Sequence, residues 1–172
     1  RRVAELEQER QLSPLPPVVI GCALIVPQAL LARLMDVAAP ASDLYAHETA
    51  RVERLAMEAV MQAERALGYV PRDVSAQKCG YDIESSIPGT GKLRFIEVKG
   101  RVTDATAVTV TRNEILTALN KPDDFILAIV LIDGETTTTY YITRPFGREP
   151  DFGATSVNYE LKKLVSRGAI PV

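Results

Sequence analysis

Three side chains in the stretch GYDIESSIPGTGKLRFIEVKGR, residues 80–101, have the types and spacing for metal-assisted hydrolysis: Asp82, Glu97 and Lys99. The stretch reads as a β-hairpin, with arms at 81–87 and 93–99 and a Pro88-Gly89-Thr90-Gly91 turn. Arms that pair symmetrically about the bond between Gly89 and Thr90 put Asp82 opposite Glu97. Side chains directly opposite on one face lie roughly 5 Å apart at Cβ. Lys99 then projects from the same face, about 7 Å further on. Ile96 and Val98 point to the other face, where a core can take them.

Two carboxylates facing each other repel, and something must offset that. A hard divalent cation, Mg²⁺ or Mn²⁺, is the simplest answer, because it takes carboxylate oxygens and keeps several waters. A lysine beside it can orient an attacking water or stabilise developing negative charge. The plainer alternative is an Asp–Lys–Glu ion-pair network on a solvated strand, since Glu-x-Lys is common on exposed strands.

The elements that must position these groups can be read along the chain. Residues 1–11 are a charged helical stretch, and the Pro-rich segment 13–17 breaks it. The apolar run 18–26 is a buried strand and 28–35 a short helix. A second linker, 38–41, separates this N-terminal extension from a domain expected over 42–172. That domain opens with a long helix, capped by Ser42 or Asp43 and ended by Gly68, whose apolar stripe includes Val52, Ala56 and Val60. Glu53 falls at the border of that stripe, and His47, the sole histidine, reads as structural or solvated. A turn at 69–74, with Asp73 as its cap, leads to a short strand expected over 74–78. After the hairpin come a strand at 107–111 and a helix at 112–120, for which Thr111 and Glu114 form a capping box. The capping box accounts for Glu114 without any catalysis. A fully buried strand follows at 125–132, then a half-exposed one at 136–143. A last helix is expected over 156–167.

Gly-Tyr-Asp, the glycine-containing hairpin and Phe-Ile-Glu-Val-Lys-Gly-Arg together resemble the PD-(D/E)XK nuclease superfamily. The wider wording, GYDIES, then RFIEVKGR, then TVTRNEILTALNKPDDFILAIV, resembles a narrower family. Its members sit at the C-terminal end of bacterial and archaeal helicase-like proteins, and the plant protein NO VEIN shares it. The resemblance covers residues 52–131 best. It implies a mixed central β-sheet flanked by helices, with a restriction-endonuclease-like αβββαβ core behind an N-terminal strand-helix extension. It implies metal binding by Asp82 and Glu97, with the Val98 carbonyl and Glu53 as further ligands and Lys99 as the catalytic lysine. Tyr81 stands where the superfamily has proline. DNA and an upstream helicase-like module in the same polypeptide are the implied partners. Lys78, Arg94, Arg101, Arg112 and Asn113 are candidates for phosphate contacts, since basic groups beside such a site supply the salt-sensitive part of binding.

Bulk composition narrows the classes. Of 172 residues, 47% are hydrophobic and 24% charged, the make-up of a globular chain with ample core. The net charge of −2 means that nucleic-acid contact must come from local patches. Cys22 and Cys79 have no ligand spacing, which argues against a zinc site or disulfide framework and fits a reducing cytoplasm. No apolar run is long enough for a membrane span. A chain beginning Arg1-Arg2 is expected to be a piece of a longer polypeptide, and its oligomeric state is not encoded in any pattern.

Overall fold

The computed structural model describes residues 42–171 and, before them, Leu30, Leu34 and Met35. The expected charged helix, the strand at 18–26 and most of the short helix at 28–35 lie outside the described residues, as does the side chain of His47. The chain divides into Arg1–Ala41 and Ser42–Val172, and the second unit carries everything that follows.

Helix α1, Ser42–Ala66, opens the domain. Strands β1 (Val70–Asp73), β2 (Ile83–Ser86) and β3 (Leu93–Val102) follow, then β4 (Ala107–Thr111) and helix α2 (Arg112–Asn120). Strands β5 (Phe125–Asp133), β6 (Thr136–Thr143) and β7 (Ser156–Glu160) and a short helix α3 (Leu161–Val165) complete it. The main sheet has five strands in the order β1-β2-β3-β5-β6, with β3 and β5 parallel and the other pairs antiparallel. β4 and β7 form a separate antiparallel pair. The fold is mixed α/β, a mixed five-stranded sheet flanked by helices, as expected.

β5 explains why the sheet has two cores. Its run FILAIVLI is apolar at every position, so both faces must be covered. Phe125, Leu127 and Ile129 enter a core with Val110, Ile115 and Leu161 on the α2 side. Ile126, Ala128 and Val130 enter the other, with Ala56 and Val60 of α1. Gly100 lets α1 approach β3: a Cβ there would lie 2.9 Å from Val52 and Ala56. Among the described residues no helix is long and apolar enough to cross a membrane.

Two local expectations are corrected. The first strand is Val70–Asp73, not 74–78, and Ser75–Gln77 is instead one turn of 3-10 helix. Pro71 had read as turn chemistry, but β1 is an edge strand, where a missing N–H is tolerated. Asp73 caps as expected: its Oδ1 accepts from the Ser75 N–H at 2.9 Å. The expected helix at 156–167 begins instead as strand β7. Its alternation S-V-N-Y-E turns Val157 and Tyr159 toward the α2-side core and pairs with the equally alternating β4.

Candidate functional site

The site forms where β2 and β3 part. Their ladder has the expected register, Ile83 opposite Ile96 and Ser86 opposite Leu93, and it stops one residue short of Asp82. The Asp82 N–H still donates to the Ile96 carbonyl at 2.9 Å. Its Oδ2 then accepts from the Val98 N–H, also at 2.9 Å. In an extended strand the N–H and C=O of one residue leave toward the same edge. The Val98 carbonyl therefore faces the free edge of β3 beside the Asp82 carboxylate. Gly80 makes this turn possible, with a φ of 93° and a position where a Cβ would collide with the Thr117 side chain of α2.

Glu97 and Lys99 point to the α2 side. Glu97 is 3% exposed. The Lys99 Nζ lies 2.7 Å from Glu97 Oε1 and 3.0 Å from Glu114 Oε2. Glu114 stands in the first turn of α2 and completes the expected capping box, its Oε2 accepting from the Thr111 N–H at 2.9 Å. The cap therefore does not exhaust its role: the same carboxylate reaches into the site.

Burial and like charge dominate the electrostatics. Burial pushes the Glu97 carboxyl up to about 8, against the pull of Lys99 and with help from Asp82 and Glu114. Burial likewise raises Asp82, although the Val98 N–H and Lys99 oppose it. Burial disfavours the Lys99 ammonium, but Glu97 and Glu114 outweigh it and the pKa rises. Glu114 is also desolvated, yet Lys99 and the Thr111 N–H bring it below its ordinary value. Two carboxyl groups thus pair with one ammonium, and Asp82 adds its like charge nearby.

A cleft of about 420 Å³ opens over these groups, lined by Glu53, Ser75, Asp82, Glu97, Lys99, Arg101 and Glu114 among others. A second, of about 260 Å³, shares Ser75, Asp82, Glu97 and Glu114 and adds Lys78 and Asn113. The donor set suits a hard divalent cation: Asp82 with one oxygen not used by Val98, the Glu97 carboxylate whose charge burial disfavours, and the Val98 carbonyl at the same edge. Among the described residues no three Asp, Glu, His or Cys side chains cluster as a ligand set. A cation here would therefore depend on two carboxylates, a carbonyl and water. Glu53 lines the cleft from α1 but does not join Asp82 and Glu97 in such a cluster.

The candidates for phosphate contacts divide. Lys78, Arg101 and Asn113 line the two clefts. The Arg101 Nη1 donates to the Gly100 carbonyl at 2.6 Å. Arg112 stands at the start of α2, its Nη1 donating to the Asp151 and Phe152 carbonyls at 3.1 and 2.9 Å. The structure does not bring Arg94 to the site. Two residues' alternation from Ile96 puts it on the α1 face, where its Nη2 lies 3.1 Å from the fully buried Glu64. There its guanidinium sits 4.8 Å from the centre of the Tyr69 ring.

The family described as Protein NO VEIN, C-terminal, matches residues 52–142, more than half of the 172-residue chain. The chain belongs to this family. The match runs from the middle of α1 to the end of β6, so every NO VEIN C-terminal element that shapes the cleft falls inside it. No curated protein matches the chain.

Glu114 is the site residue that sequence reasoning left out. Its signal was present in Thr111-x-x-Glu114, but a complete local explanation hid the longer reach to Lys99. Glu64 was missed for a different reason. It falls on the buried side of α1 one turn beyond Val60, but the guanidinium that pairs with it there, Arg94, lies thirty residues further along the chain.

Proposed function

We propose that residues 42–172 form a PD-(D/E)XK-type nuclease domain that hydrolyses DNA phosphodiesters with Mg²⁺ or Mn²⁺. It would act in the cytoplasm, tethered through residues 1–41 to a helicase-like or DNA-modification module of the same polypeptide. The observation that carries this reading is the gathering of Asp82, Glu97 and Lys99 in one cleft at the free edge of β3, with the Val98 carbonyl turned to that edge. Asp82, Glu97 and Val98 would hold the cation, and Glu53, which lines the same cleft, would bind one of its waters. The bound cation would polarise the phosphate and supply a water of lowered pKa. Lys99 would orient that water and stabilise charge developing on the phosphate, and Glu114 would fix the position of the ammonium. Arg101, Lys78 and Asn113 would contact the nucleic-acid backbone.

A second reading has its own support: Lys99 is already paired with both Glu97 and Glu114, as in a non-cleaving docking module whose charges satisfy one another. Cleavage decides between them. Plasmid and single-stranded DNA would be incubated with wild type and Lys99→Ala, with Mg²⁺, Mn²⁺ or EDTA. The nuclease reading expects cutting by wild type that EDTA abolishes and that falls at least a hundredfold in Lys99→Ala. No cutting in either metal, with no change in melting temperature on adding Mn²⁺, would leave the docking module.

A further inference from the structure

Phe152 is 98% exposed, the most exposed large hydrophobic side chain among the described residues. Its loop is not loosely attached. The Arg112 Nη1 donates to the carbonyls of Asp151 and Phe152, the Arg112 N–H donates to the Thr155 carbonyl at 2.8 Å, and the Ala154 N–H donates to Asp151 at 2.9 Å. The ring is thus held outside the core by a loop clamped to the start of α2. The Arg112 guanidinium lies 5.8 Å from the ring centre. Among the described residues no carboxylate pairs with Arg112, so its charge is available beside the ring.

The position of this ring relates it to the cleft. Phe152 and Arg112 line a shallow depression together with Thr111 and Asn113. Thr111 and Asn113 also line the cleft that contains Asp82 and Glu97. One continuous surface therefore runs from the exposed ring, past the start of α2, to the carboxylates. An aromatic face beside a guanidinium that has no carboxylate partner is what an unstacked base with its phosphate requires: the ring stacks on the base, and the cation meets the backbone. A base inside a duplex has both faces covered by its neighbours and cannot use such a ring.

We propose that Phe152 and Arg112 form a stacking subsite for an unpaired base, so that the domain takes single-stranded nucleic acid, or the unpaired end of a duplex, in preference to continuous duplex. This rests on the nuclease reading for its substrate but not for its test, which measures binding without cleavage. A fluorescein-labelled 20-nucleotide single strand and the matching duplex would be titrated with the full chain in EDTA, read by anisotropy. Wild type is expected to favour the single strand. Phe152→Ala should weaken single-strand binding about tenfold or more, with duplex binding unchanged, and Phe152→Trp should retain it. Equal single-strand affinity in wild type and Phe152→Ala overturns the subsite, as does an equal loss for both probes. If wild type cuts DNA while Phe152→Ala binds the single strand normally, the subsite fails and the nuclease reading stands. If wild type binds neither probe and cuts nothing, both fail, and the ring becomes an anchor for a protein partner.

Discussion

Lys99 holds a position from which two opposite roles can be told apart. It is the only ammonium within reach of Glu97 and Glu114 in the described site, and burial raises the electrostatic stakes for all three. Lys99→Ala leaves two desolvated carboxyl groups facing each other, and in the absence of metal it should destabilise the fold by about 3 kcal/mol. Asp82 has the opposite sign. Burial disfavours its charge, and an amide keeps an acceptor for the Val98 N–H. Asp82→Asn should therefore raise the metal-free melting temperature by about 3 °C. Mg²⁺ should raise the melting temperature of wild type and leave that of Asp82→Asn where it is. Thermal melts of the three proteins, with and without Mg²⁺, check all of this. A fall in Asp82→Asn without metal would mean that Asp82 is a structural partner rather than a strained ligand.

At the scale of elements, α1 is fastened to the sheet by a buried charge as well as by its apolar stripe. Glu64 is fully buried against Arg94, and the Tyr141 ring lies 5.7 Å from the same guanidinium. Removing one partner alone strands a charge in the core, so Glu64→Leu or Arg94→Met should each cost about 3–5 kcal/mol. The double variant should recover most of that, because an apolar pair of similar volume is close to neutral there. Urea denaturation of the four proteins measures the coupling. The contrast with the hairpin shows what made an element legible. The register of β2 on β3 followed from the Pro-Gly-Thr-Gly turn and the period of two, both local, and the structure reproduces it pair by pair. β5 was legible because eight apolar residues in a row have one economical fate. Helix α2 was legible from its capping box. Arg94 was misplaced although the period of two already set it on the face of Ile96 and Val98; what no local pattern showed was its partner Glu64, thirty residues away. β7 was misread because an alternating pentapeptide is short, and its partner β4 lies far upstream. The carboxylates and lysine of the cleft came from the hairpin and so were visible. The reach of Glu114 came from helix packing and was not.

For the molecule as a whole, the net charge of −2 limits how nucleic acid can be held. Besides Lys99, which Glu97 and Glu114 already pair, Lys78, Arg101 and Arg112 are the cations lining the surface that joins cleft and ring among the described residues. Three phosphate contacts imply a slope of about −2 in log affinity against log salt for a single strand. Anisotropy titrations at several salt concentrations should give that shallow slope, and a slope near −6 would point to a basic surface elsewhere.

The β2–β3 ladder has one further use. Its cleft end and its turn end are opposite ends of the paired strands within the five-stranded sheet, and the turn glycines Gly89 and Gly91 have open space around them. The tip is therefore a natural handle. A fluorophore, an affinity tag or a tether to a surface introduced between Gly89 and Thr90 would report on or immobilise the domain while leaving the cleft facing solution.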